Sequence, residues 1–362
     1  MKEKINSLQF ANTFILIILS SSIGLSLFTT IRAASIDSYF CIIIGSIIGI
    51  IPLLFFLYIF NYEKDLPIYE KTTHLFGKVI GNIINILITL LYFVIGITVL
   101  FNLGNFIVSQ YLSDTPLLLV LIITIAVIFH GVNKGFETIT RVSSIFIIIV
   151  FAFFIFSFIY LSQEFRLENL KPILEFGLKK PILGGIINML ITLSPIYTLL
   201  IFPKNNLVDK EKINKYLWIG YIISAITIFL ISFLSNGTLG KYLIELYQYP
   251  GYISLKRISL FGFIDRIENF LSLHWILCSV INLSMIIYYL KGNIIKKKNS
   301  KLFNLILCII IVITSYNIFS NNTMFNNYTY KIYPYILAPL FGIYAIISIS
   351  ILIKNILKKK KT

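Results

Sequence analysis

Charge is scarce in this sequence. Only 13% of its 362 residues are Asp, Glu, Lys or Arg, against 57% hydrophobic, and the mean hydropathy is +0.89, whereas a soluble domain carries about 25% charged residues. A water-soluble globular class is excluded. Histidine and cysteine number three each, and Cys41, Cys278 and Cys308 sit inside apolar runs at no spacing that suits a disulfide or a metal site. They read as packing residues. The chain has no Gly-rich phosphate loop, no HExxH and no nucleophile elbow, so neither an enzyme activity nor a metal or other cofactor is expected. No Pro/Gly/Ser-rich linker divides it, which leaves one membrane domain over 1–362.

What is abundant is long apolar runs. A hydrocarbon core of about 30 Å needs roughly 20 apolar residues of helix per crossing, and ten windows of that kind occur, near 8–30, 38–61, 79–108, 115–131, 142–161, 182–202, 216–239, 266–290, 302–319 and 332–353. The runs are continuous rather than alternating, which excludes a transmembrane β-barrel and predicts an all-α bundle of ten transmembrane helices. The first run is too long for a cleaved signal peptide, and Arg32 interrupts the small-residue pattern before Ala34, so it is expected to remain as a span. Loops are short except 162–181 and 240–263, whose near-helical mixture of charged and apolar residues predicts short amphipathic helices.

The formal net charge is +16, and its placement argues against nucleic acid. With the N-terminus in the cytoplasm, 21 of the 31 Lys and Arg fall on the inner side, which is the positive-inside pattern and puts both termini in the cytoplasm. The basic tail 354–362 and the basic loop 291–301 then serve as topology signals that meet anionic lipid.

Two spans are interrupted at their middles. "LSSSIGLSLF" places Ser20, Ser21, Ser22 and Gly24 inside the first, and "MLITLSPIYTLL" places Thr192, Ser194 and Pro195 inside the sixth, where proline removes a helix hydrogen bond and clashes with the preceding turn. Each is compatible with simple helix packing. Their matching positions in two halves of five spans, about 8–161 and 182–353, point instead to an inverted repeat with broken first and sixth helices around a midplane site. Polar residues share one face of the third span (Asn85, Thr89, Tyr92, Gly96) and one of the eighth (Glu268, Ser272, Trp275, Ser279, Asn282), either joining helices or lining a cavity. His274 is the one ionisable group well inside a span, open to reading as a packed residue or a proton relay.

"GFIDRIENFLSLHW" at 262–275 resembles the B subunit of spore germinant receptors, the GerA-type spore germination permeases. The resemblance extends through "INSLQFANTFILIILSSSIG" (Ser7, Gln9, Gly24), "NKGFETITR" ending at Arg141, "LKPILEFGLKKP" (Pro172, Gly177, Pro181) and the run carrying Pro250, Arg266 and Glu268. It implies a ten-span member of the amino acid/polyamine/organocation transporter superfamily with the leucine-transporter-like fold, sited in the inner membrane of the endospore. It also implies a small-molecule germinant of amino acid or sugar class, A and C subunits as partners, and sensing rather than uptake. On that fold the first, third, sixth and eighth spans surround the ligand. Ser20, Ser21, Ser22, Gly24, Tyr92, Gly96, Thr192, Ser194, Pro195, Ser279 and Asn282 are then the ligand-binding candidates, with the first helix expected to unwind and Gly24 to admit the ligand closely. Arg141, Arg266 and Glu268 are expected to be structural or gating residues. The alternatives are a sodium- or proton-coupled amino acid transporter and a scaffold that binds nothing itself.

Overall fold

The computed structural model describes residues 4–175, 177–257, 268–295, 301–319 and 321–359. Among them the chain is almost wholly helical. The α-helices are α1 (Ser7–Ser21), α2 (Leu27–Ala34), α3 (Ser38–Ile48), α4 (Ile50–Asn61), α5 (Ile68–Phe76), α6 (Lys78–Gln110), α7 (Leu117–Lys134) and α8 (Phe136–Gln163). They continue as α9 (Lys179–Leu193), α10 (Ile213–Ile244), α11 (Pro250–Lys256), α12 (Glu268–Ile294), α13 (Lys301–Ile318), α14 (Asn322–Lys331) and α15 (Tyr333–Lys359).

Nine helical stretches among the described residues are long and apolar enough to cross a membrane. The first, Ser7–Asn61, has 55 residues, about 80 Å at 1.5 Å per residue and far more than one crossing needs. Ser35 divides it, with φ 52° and ψ −128°, and a 3-10 turn over Ser35–Asp37 follows. The two arms match the first two runs expected from sequence.

Helix starts follow local chemistry. The Asn6 side chain accepts from Gln9 N at 2.7 Å and Gln9 Oε1 accepts from Asn6 N at 3.1 Å, a reciprocal cap that opens α1. Ser7 then fixes this end against the 203–212 loop, its amide donating to Asp209 Oδ1 at 2.6 Å and its hydroxyl to Asp209 O at 2.8 Å. At the joint of α7 and α8 the chain turns at Gly135 with φ 96°, a conformation that side chains oppose.

The bundle has a centre and a rim. In Lys179–Ile201 and Glu268–Ile294 the most apolar window is 78% and 72% buried, against 22% in Phe136–Gln163, so the former are central and the latter faces outward. A rim helix that stays apolar on its exposed side, as α8 does with Ile145, Ile148 and Ile155, suits lipid. Small residues bring α3 against α9, where a Cβ on Gly45 would lie 2.5 Å from Asn188 Nδ2 and 2.7 Å from Gly185 O. Among the described residues of the two long loops, 162–181 contains the 3-10 turn Leu167–Leu170 before α9 begins, and 240–263 contains the short helix α11.

Candidate functional site at the two helix interruptions

Both interruptions lie where the sequence placed them. The first takes a different form from the expected unwinding: Ser22–Ser26 is a single π turn, in which Leu27 N–H reaches back to Ser22 O. Its cause is local. The Ser20 and Ser22 hydroxyls donate to Ile17 O and Leu19 O at 2.9 and 2.7 Å, and Thr29 and Thr30 make the same back-bonds further on, a pattern that bends helices. In the sixth span α9 gives way to a 3-10 helix, Ser194–Ile201, with Pro195 at its first turn. Tightening to 3-10 pitch there accommodates the missing proline amide.

Side chains from the polar faces of α6 and α12 converge on these points. Trp275 Nε1 donates to Ser20 O at 2.9 Å, and Asn282 Nδ2 donates to Ser20 Oγ at 2.7 Å and Ser21 Oγ at 3.3 Å. Tyr92 OH donates to Ser194 O at 2.9 Å. Thus α12 holds the first interruption and α6 the second. Ser279 is buried on α12 between Trp275 and Asn282, Thr192 is buried and bonds back to Asn188 O at 2.7 Å, and Gly96 is buried with its nearest outside neighbour Ile286.

Three features escaped the sequence reading. Asn188 accepts from Ser26 Oγ at 2.6 Å and so ties the π turn to α9. Asn102 and Trp275 fill the space beside Gly24, where a Cβ would meet Asn102 Nδ2 and Trp275 Cζ2, each at 2.3 Å. Gly24 therefore serves close packing here, and it is not among the positive-φ glycines. Above it an aromatic cap closes the site: the Phe106 ring lies 4.6 Å from Trp275, 4.8 Å from Tyr249 and 5.4 Å from Tyr252. A cavity of about 10 Å³ adjoins Asn188 and Thr192, room for a single water at most.

The other stripe residues act between helices. Asn85 donates to Tyr69 O at 2.9 Å and accepts from Thr72 at 2.8 Å, and Thr89 accepts from Asn293 at 3.0 Å. His274 is buried with its ring 3.9 Å from that of Phe154. Arg141 pairs with Glu137 one turn away, with 64% and 30% of the side chains exposed, an arrangement worth about 0.5 kcal/mol or less. Glu268 is buried and close enough to Tyr111 that its charge adds to the effect of burial, which raises the Tyr111 phenol above its ordinary value. Arg266 lies outside the described residues.

Solved structures with this arrangement are transporters. A mutant of the Eremococcus coleocola manganese transporter aligns with 94% of this chain and 78% of its own at TM-score 0.62 and 15% identity. A Na+-coupled sialic acid symporter aligns over 95% and 79% at TM-score 0.61 and 13% identity. At such identities the likeness establishes the leucine-transporter-like fold. In sequence, spore germination protein XB of Bacillus anthracis is 23% identical over 288 residues, 76% of this chain and 78% of its own. Spore germination protein KB of Bacillus subtilis (strain 168) is 24% identical over 294 residues, 79% and 77% of the two chains. These relatives are germination proteins and transporters rather than enzymes. The model of the spore permease family, described as spore germination protein, matches residues 4–323, and the chain is a membrane protein belonging to that family.

Proposed function

We propose that this protein is the nutrient-sensing membrane subunit of a spore germinant receptor. It binds a small germinant, an amino acid or sugar, between the π turn of the first span and the 3-10 start of the second half, near the membrane midplane. A and C subunits are its partners, and the inner membrane of the endospore is its location. Residues 8–161 and 182–353 form the two repeats, and the arms of Ser7–Asn61 count as two crossings, which makes ten.

The observation that carries the site is Asn282. Its amide nitrogen is engaged with Ser20 and Ser21, while its buried Oδ1 has no hydrogen-bond partner among the described residues. An unsatisfied acceptor in a water-poor interior costs about 1–3 kcal/mol, and a ligand ammonium or hydroxyl beside the helix interruptions would satisfy it. Closure by Trp275 and Asn102 fits a resting receptor whose pocket forms when they move aside.

The test is germination of spores carrying Asn282→Ala against amino acids, sugars and nucleosides, normalised to receptor abundance. Losing one or two hydrogen bonds to the ligand should raise the required concentration roughly two- to a hundredfold, with less change in maximal rate. A variant at normal abundance with the parental dose response would overturn the site. The fold neighbours favour one rival, a sodium- or proton-coupled transporter. Proteoliposomes distinguish the two, since a transporter accumulates the labelled ligand and a sensor binds without accumulating it.

A further inference from the structure

Two helices of the rim, α7 and α13, enclose a groove of about 460 Å³ that is lined by five residues of each and by apolar side chains alone. Ala126 and Cys308 are the smallest of these and leave the space, while Ile122 and Ile309 stand exposed on its two sides. From Leu118 to Phe129 the groove follows α7 for about 16 Å at 1.5 Å per residue. It holds on the order of fifteen groups the size of a water or a methylene, which is one acyl chain. A partner helix, about 10 Å across, would press only a ridge of side chains into so narrow a space.

Basic residues gather at one end of this groove. Asn304 Nδ2 donates to Asn133 Oδ1 at 2.6 Å and so joins the first turn of α13 to the last turn of α7. Lys301 stands one turn before Leu305 of the groove, and His130 and Lys134 stand one and two turns beyond Ala126. All three are exposed. Neither helix contains an acidic residue, and Glu137, the next acid along the chain, pairs with Arg141 on α8. Lys4 N donates to Glu137 Oε2 at 3.4 Å, so this end is also that of the N-terminus, which charge predicts to face the cytoplasm. On that side of a membrane anionic headgroups attract Lys and Arg.

We propose that this groove is a binding site for one anionic phospholipid, with an acyl chain between α7 and α13 and the phosphate on Lys134 and Lys301. It is separate from the site at the helix interruptions. Lipid tails are as apolar as leucine side chains, so the groove takes the chain of any phospholipid by shape, and the headgroup decides which one stays. Each lysine near the membrane surface favours an anionic headgroup roughly fivefold. The long lysine stem lets the ammonium reach the headgroup while its methylenes lie along apolar surface.

The experiment uses the full-length chain in vesicles, with Trp218→Phe to remove the more exposed of its two tryptophans and Ile122→Trp to place a reporter on the groove wall. Its fluorescence is followed with phosphatidylglycerol or phosphatidylcholine, each carrying brominated acyl chains that quench a tryptophan they touch. A second reporter, Ile148→Trp, replaces a residue 71% exposed on α8, as far along the chain from the turn at Gly135 as Ile122 is, and outside the groove. Ile122→Trp should prefer phosphatidylglycerol roughly tenfold or more, and Ile148→Trp should show little preference. Lys134→Gln and Lys301→Gln should each lower the preference at Ile122→Trp roughly fivefold, and together they should bring it to that of Ile148→Trp. If Ile122→Trp accumulates poorly, Ile309→Trp on the facing wall takes its place. Equal preference at the two reporters, or a preference that survives both lysine substitutions, would overturn the proposal. So would quenching of Ile148→Trp by both lipids with none of Ile122→Trp, which would mean that a protein helix covers the groove.

Discussion

Trp275 is held at both ends of its indole, by the hydrogen bond to Ser20 O at 2.9 Å and by the Phe106 ring at 4.6 Å. A methyl group on Gly24 would meet that fixed ring at 2.3 Å, and Asn102 at the same distance. Gly24→Ala should therefore cost about 1–3 kcal/mol by overpacking, read as a lower thermal midpoint of the purified protein. If stability is unchanged and ligand response is lost, Gly24 lines ligand space instead. At this scale the sequence was informative where polar residues recur at helical spacing: Tyr92, Trp275 and Asn282 all come to the two interruptions. Asn102 and Asn188 were not visible because a single amide in an apolar run carries no periodic signal. Their partners, Tyr249 at 3.5 Å and Ser26 at 2.6 Å, lie more than a hundred residues away.

Among the elements, the interruptions were legible as composition but not as geometry. Serine and glycine in the first span announce an irregular helix, since hydroxyl back-bonding bends helices, but not its form, which here is a π turn. The short helix α5 was not anticipated, and it carries Lys71, a residue 1% exposed whose side-chain nitrogen donates to Ile59 O at 2.9 Å and Phe60 O at 3.4 Å. These are last-turn carbonyls of α4, so Lys71 caps that helix and binds α5 to it. Burial lowers its pKa from 10.5 to about 7, with Glu63 opposing and Lys204 reinforcing the shift. Between about pH 7 and pH 10.5 the unfolded chain thus holds a proton that the folded chain has released, and stability rises with pH by up to about 1.4 kcal/mol per unit. Below that window the cost of the buried charge is constant. In Lys71→Met this component of the pH dependence should vanish, and the difference between the two proteins, followed by thermal unfolding in detergent from pH 6 to pH 10, isolates it. Parallel curves would show that Lys71 titrates as an ordinary surface lysine.

For the whole molecule, contacts assign the ends of the bundle, and charge predicts which end faces the cytoplasm. Val208 N donates to Ile5 O at 3.0 Å, so the N-terminus and the 203–212 loop share one end. Ser35 bonds Glu245 and Lys241 bonds Glu175, so the 35, 175 and 241–245 segments share the other. Sequence hydropathy had already separated these sets, because each run is just long enough for one crossing and alternation follows. The turn at Ser35–Asp37 shows where that reading was weakest, since it is itself helical and carries no proline or glycine to mark it. The 21 Lys and Arg assigned to the end that holds residue 208, out of 31, predict that this end faces the cytoplasm. Exposed positions on the two ends test this: Tyr242 is 85% and Val208 71% exposed. Tyr242→Cys should react with an impermeant thiol reagent applied from outside intact cells, and Val208→Cys only in inside-out vesicles. Labelling of both from one face would contradict the fold as well as the orientation, because residue 208 precedes α10 and residue 242 follows its break at Gly240 (φ 70°), and the unbroken helix between them, 213–239, is about 40 Å long at 1.5 Å per residue. Labelling of each from the reversed face would contradict the orientation alone and leave the bundle intact.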